Sequence, residues 1–192
     1  MERHADIAKP EMDWTTYRRL EKKALQRLVT KANGEVRNFS ATPNVPYETH
    51  PVAIRDMLIT LNVTDKEEWL AALLHDIIED SDVTTEQLAM DFSPRVAAIV
   101  GLVSKPEPFD SEAFYGAIMT ADEAIGLPAM RIKVCDRMNN LLTNMAYNTS
   151  ANAAAYAAEA RQYFLPMAGR VGLVEPLELS ISYIEQCIAA GQ

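Results

Sequence analysis

Cysteine is scarce in this chain: Cys135 and Cys187 are the 2 among 192 residues, and two thiols placed so far apart give no disulfide framework. No apolar run approaches the roughly 20 residues needed to cross a bilayer, so no membrane partner is expected. The opening stretch MERHADIAKPEMDW is charged where a secretory signal would be apolar, which points to a soluble, cytoplasmic protein. Positive charge is also short, with 18 Lys and Arg against 27 Asp and Glu, a net charge of −9 and a pI near 4.8. Phosphate backbones are bound by basic surfaces, so this balance excludes nucleic acid as the main partner. A small phosphorylated ligand needs only a local basic cluster or a metal and stays possible. Alternating Val, Ile and Thr runs between hairpin turns are missing as well, which predicts essentially no sheet.

What remains reads as helix. With 48% hydrophobic residues and a length suited to one core, the chain is expected to be a single all-α domain over residues 1–192. Trp14, Tyr17, Leu20, Leu25 and Leu28 form an apolar stripe through residues 12–33. Residues 34–51 hold Gly34, Pro43, Pro46 and Pro51 and read as a long loop. A second helix starts at Pro51. Thr64 followed by Glu67 resembles a capping box for a third. Ser93 and Pro94 read as a cap and first-turn proline between two short helices. A further amphipathic segment begins at Ser111, is interrupted by Gly126 and Pro128, and gives way to another helix through Asp136. The last third is rich in Ala and Leu, with Pro166 inside one segment. Nothing marks a repeat or an inter-domain linker.

The third helix carries the chemistry. In AALLHDIIEDSD, residues 71–82, His75 and Glu79 are four apart, as are Asp76 and Asp80, which would place all four on one side of a continuous helix. Leu70, Leu73, Leu74, Ile77 and Ile78 surround them, and an uncompensated carboxylate in such a setting is costly. An acidic run ending a helix is ordinarily a solvated face. The adjacent imidazole shifts the reading to a divalent metal, for which His and carboxylate together suit Mn, Fe, Co or Zn, with oxygen-rich sites leaning to Mn. His50 and Asp136 are further candidate ligands. Each also has a plain alternative, a hydrogen-bonded structural histidine for His50 and an ion pair with Lys133 or Arg137 for Asp136.

His50, His75-Asp76 and Asp136 together resemble the H…HD…D signature of the HD-domain metal-dependent phosphohydrolases, an all-helical superfamily. YETHPVAI, LAALLHDIIEDS, RIKVCDRMNNLLT and YFLPMAGRVGL are similar, in order, to the hydrolase domain of RelA/SpoT-type alarmone enzymes, over about residues 30–175, with helical extensions at both ends. The resemblance implies one HD helical bundle that removes pyrophosphate from the 3′ position of (p)ppGpp with one Mn²⁺ per site. His50, His75, Asp76 and Asp136 would then be the metal ligands, Glu79 and Asp80 the pair that activates water, and Asn140 and Thr143 residues of the nucleotide pocket. Arg37 matches a family arginine if about four residues are inserted after it.

The chain departs from the family where a basic run should precede the first histidine, because SATPNVPY stands there, and Asn139 stands where histidine is usual. The histidines, His4, His50 and His75, are too few for a two-metal site. The chain offers neither room nor strands for a synthetase domain, so degradation alone is expected. The alternatives are an HD phosphohydrolase acting on another nucleotide such as (p)ppApp or a (d)NTP, and an inactive nucleotide-binding regulator. Composition does not address the oligomeric state.

Overall fold

The structure is a computed structural model, and it describes residues 11–32, 36–37, 45–143 and 150–190. Helix α1 runs Trp14–Ala32, α2 Thr49–Thr60, α3 Lys66–Leu74, α4 Thr85–Asp91, α5 Pro94–Val103, α6 Ser111–Thr120 and α7 Glu123–Thr143. A C-terminal group follows, with α8 Ser150–Glu159, a π-helical turn Ala160–Phe164, α9 Leu165–Val171 and α10 Val174–Ala189. The all-helical expectation holds with one small exception: β1 (Val36–Arg37) pairs antiparallel with β2 (Val45–Pro46). Among the described residues no helix is long and apolar enough to cross a membrane.

α7 is the central element and packs against α2, α5, α6, α9 and α10. Accordingly it is buried nearly all round, through Met130, Ile132, Val134, Cys135, Met138 and Leu141, as a helix with neighbours on every side must be. The break expected at Gly126 and Pro128 does not occur, because α7 runs through both. Pro128 removes one backbone donor, and the carbonyl one turn before it, on Ala124, instead accepts a hydrogen bond from Arg95 Nε at 3.2 Å. Gly126 is there for a close approach, since a Cβ would meet the Ala121 carbonyl oxygen at 3.0 Å. The chain turns earlier, between α6 and α7.

α3 is buried on every face, Leu70, Ala71, Ala72, Leu73 and Leu74 all being inaccessible. Its N-cap is Asp65 rather than Thr64, and the Asp65 side chain accepts from the Glu67 and Glu68 amides. Glu68, fully buried, forms a two-pronged pair with Arg131 of α7, at 2.7 and 2.6 Å. Ser93 and Pro94 cap and open α5 as expected. Gly172, at φ 74°, closes α9 in the left-handed conformation that glycine adopts without steric penalty.

Candidate metal centre

α3 ends at Leu74, so His75–Glu79 form successive turns and not the continuous helix the spacing predicts. Acidic residues are unfavourable at a helix C-terminus, where the carbonyl ends already carry partial negative charge, and Glu79, Asp80 and Asp82 lie immediately ahead. His75 becomes the C-cap. Its Nδ1–H donates to the Ala72 carbonyl at 2.9 Å, one of the oxygens a helix end leaves without a partner. Glu79 and Asp80 lie exposed beyond it and do not share one helix face with the HD pair as expected.

His50 enters from the first turn of α2, buried to 5% exposure. Its Nδ1 meets Asn139 Oδ1 on α7 at 2.8 Å. Since an amide oxygen only accepts, Nδ1 carries the proton and Nε2 holds a lone pair. The same reasoning applies to His75. Each Nε2 then faces carboxylate oxygen: His75 Nε2 lies 3.0 Å from Asp76 Oδ2, and His50 Nε2 lies 3.2 Å from Asp136 Oδ1 and 4.0 Å from Asp76 Oδ2. His75 Nε2 is buried and has no aligned hydrogen-bond partner among the described residues. A lone pair turned towards a carboxylate at such distances is repulsive unless positive charge lies between them, which is either a proton taken up by the imidazole, as the raised His75 pKa allows in the metal-free protein, or a bound cation that replaces it.

The donor set therefore fits a cation. Ligand atoms of His50, His75 and Asp76 all lie within 4.8 Å of one another, a spacing that donors about 2.0–2.4 Å from a shared divalent ion satisfy. Asp136 stands outside that group of three, with its Oδ1 3.2 Å from His50 Nε2. Hydrogen bonds on the far side of each imidazole, to Ala72 and Asn139, are the supports that orient histidine ligands.

The electrostatics agree. Burial alone would raise the Asp76 carboxyl, but the neighbouring His75 outweighs it and brings the pKa down to about 2. Burial likewise opposes ionisation of Asp136, yet Lys133 and the two imidazoles hold it well below the usual carboxylate range. Burial pushes the His75 imidazole down, and Asp76 more than reverses that. Both carboxylates are thus ionised at any ordinary pH.

Of the remaining predicted residues, Asn140 donates from Nδ2 to Asp136 Oδ1 at 2.6 Å and so reaches the centre. Thr143 does not; its hydroxyl donates to the Asn139 carbonyl at 2.7 Å. Glu79 Oε1 accepts from the Lys105 amide at 2.8 Å. Asp80 Oδ2 accepts from the Tyr47 hydroxyl at 2.8 Å and pairs with Lys31. Arg37 lies in β1, and its side chain is outside the described residues. The ion pair of Asp136 with Lys133 that the sequence allows is present at 3.3 Å, so that pairing and the ligand position coexist on different oxygens. Asn139, read only as a departure from a family pattern, turns out to orient His50. The contact spans 89 residues and leaves no local pattern in the sequence.

A family model described as an HD domain matches residues 28–174. The guanosine-3′,5′-bis(diphosphate) 3′-pyrophosphohydrolase of Haemophilus influenzae is 36% identical over 138 residues, covering 67% of this chain and 20% of that protein. The bifunctional (p)ppGpp synthase/hydrolase SpoT of Escherichia coli is 32% identical over 136 residues, covering 67% and 19%. The chain spans about a fifth of the length of these curated relatives. A solved structure described as a metazoan ortholog of SpoT that hydrolyzes ppGpp matches with a TM-score of 0.68 at 21% identity, over 92% of this chain and 97% of that one. At that identity the likeness shows a shared fold.

Proposed function

The chain belongs to the HD-domain family, whose fold implies a divalent metal, and from that premise we propose that it is an Mn²⁺-dependent hydrolase of the 3′-diphosphate of guanosine alarmones, with ppGpp as substrate. One observation carries the reading. Two imidazole lone pairs and two ionised carboxylates converge where α2, the end of α3 and α7 meet, in a chain similar to enzymes named for this reaction.

His50, His75, Asp76 and Asp136 would hold the ion. When bound, it supplies a Lewis acid that makes a water more acidic and draws charge from a phosphoryl oxygen. Glu79 and Asp80 orient the attacking water and take its proton. The water oxygen bonds to the phosphorus carried on O3′, the O3′–P bond breaks, and O3′ leaves protonated, giving GDP and pyrophosphate from ppGpp. Asn140 fixes the orientation of the Asp136 carboxylate, and the family resemblance assigns it, with Thr143 and Arg37, to the nucleotide pocket.

The test is incubation of the purified protein with ppGpp, ppApp, dATP and GTP, with and without Mn²⁺, with products resolved by anion exchange. Metal-dependent GDP and pyrophosphate from ppGpp are expected, and Asp76→Ala should abolish turnover without unfolding the chain. Retained activity in metal-free Asp76→Ala protein would refute the mechanism. Turnover of another nucleotide alone would keep the chemistry and change the substrate, while tight metal binding without any turnover would favour a regulator.

A further inference from the structure

Helix α1 is strongly basic in an acidic chain: Arg18, Arg19, Lys22, Lys23, Arg27 and Lys31 stand against Glu21. Lys23, Arg27 and Lys31 recur at every fourth position and share one face. With Thr30, Ile77 and Ser81 they line a groove of about 430 Å³, within the size range of ligand clefts. Ile77 and Ser81 belong to the same segment as the HD pair, so this groove runs alongside the proposed catalytic residues.

The three cations are not equivalent. Lys23 and Arg27 are both committed to Asp91, Lys23 at 2.6 Å. Lys31 lies at the other end. Its side chain is 8% exposed and pairs with Asp80, itself 38% exposed, and its ammonium sits 3.6 Å from the centre of the Tyr47 ring. The Asp80 amide bonds to the Asp76 carbonyl at 3.1 Å, so this ammonium stands about one turn of chain from the metal ligands. An ammonium has three donors, and both groups holding Lys31 are positioned for it: a ring face and a carboxylate already shared with the Tyr47 hydroxyl.

We propose that Lys31 is the phosphate-docking cation of this chain, receiving the second, non-reacting 5′-diphosphate of a nucleotide in the groove along α1. The inference deepens the proposed function and rests on it. It also accounts for SATPNVPY, the stretch before His50 that lacks cations where the family resemblance places them: the positive charge comes from a helix instead. Asp80 and Tyr47 hold the ammonium in place, and a diphosphate shares it with Asp80 on binding. Charge-assisted hydrogen bonds from an ammonium to phosphate are roughly twice as strong as neutral ones.

The test uses guanosine diphosphate as a probe of the 5′-diphosphate end, titrated calorimetrically into wild type, Lys31→Ala, Lys31→Arg and Arg18→Ala, the last removing an α1 charge outside the groove. Lys31→Ala should weaken binding about tenfold, as loss of one charge-assisted contact implies, while Lys31→Arg stays within about threefold and Arg18→Ala is unchanged. Equal affinity in Lys31→Ala, a loss no larger than in Arg18→Ala, or no saturable binding by wild type would each overturn the proposal. In an Asp80→Asn background the Lys31→Ala loss should persist; its disappearance would show that Lys31 acts only by holding Asp80 and would also overturn the proposal. Wild-type turnover of ppGpp is measured separately. Silence there refutes ppGpp as the substrate, whereas the docking claim stands or falls on the binding difference.

Discussion

Replacing Asn139 by Ala isolates the contribution of an oriented imidazole. The side chain touches the centre through a 2.8 Å hydrogen bond to His50 Nδ1, and His50 is buried to 5% exposure. Without that acceptor the buried N–H either stays unsatisfied, at about 1–3 kcal/mol of folding stability, or the proton moves to Nε2 and blocks the atom that faces Asp76 and Asp136. Loss of such a supporting contact typically costs 10–100-fold in metal affinity, about 1.4–2.8 kcal/mol. Calorimetric titration of Mn²⁺ into the variant should show that weakening, and its thermal midpoint should fall by several degrees at about 2–4 °C per kcal/mol for a chain of this size. Asn139→Asp keeps an acceptor and should retain affinity. A melting shift with Mn²⁺ affinity within twofold of wild type would refute the argument, since the contact would then matter only to packing.

Other perturbations test the surrounding charges. Lys133→Met removes the cation that holds buried Asp136 ionised, so the metal-free protein should lose about 3 kcal/mol, at the low end for a broken buried pair because Asp136 keeps some exposure. Mn²⁺ at 100 times the variant's own dissociation constant should restore about 2.7 kcal/mol, read as a melting shift that brings the metal-bound variant close to metal-free wild type. Burial raises the Glu68 carboxyl above its ordinary 4.5, against the pull of Arg131. The folded chain therefore keeps a proton that the unfolded chain has released between 4.5 and the raised value, and stability falls as pH rises through that window. Glu68→Gln lacks this slope, so denaturant midpoints should show wild type gaining on the variant as pH falls; a gain in the opposite direction would contradict the burial argument. Gly172→Ala meets no atom within 4 Å, and its φ of 74° is the sole penalty, so a cost of about 1 kcal/mol without loss of metal binding is expected.

The four ligand candidates were legible because His and Asp stand out among apolar neighbours and because local spacing groups them. Helix limits were less so. Gly126 and Pro128 argued for a break that tertiary contacts cancel, Arg95 taking the carbonyl that Pro128 leaves without a donor and Ala121 requiring a residue without a side chain. The periodicity of residues 75–80 argued for a helix that the acidic run at its C-terminus does not sustain. What could not be read at all were contacts distant in sequence: Asn139 with His50, 89 residues apart, and Lys31 with Asp80, 49 apart. Neither has a local pattern, and each depends on how elements distant in sequence pack together.

That dependence explains where the chain places its buried charge. A centre assembled from α2, α3 and α7 must hold their relative positions to about 0.5 Å, and a slip of one residue along α7 would turn Asp136 by about 100° and shift it 1.5 Å. Apolar packing tolerates such slips better than directional bonds do. α7 carries a different bond to each of three neighbours: Arg131 to Glu68 of α3, Asn139 to His50 of α2, and the Ala124 carbonyl to Arg95 of α5, which also reaches Asp65 and Glu67 at the start of α3. In register with these, Lys133, Asp136 and Asn140 follow at three- and four-residue steps, so one helix supplies the counter-ion, the ligand and the group that orients its oxygen. The buried ion pairs are then best understood as fixing register. Their loss should appear first in metal affinity, before the fold itself fails.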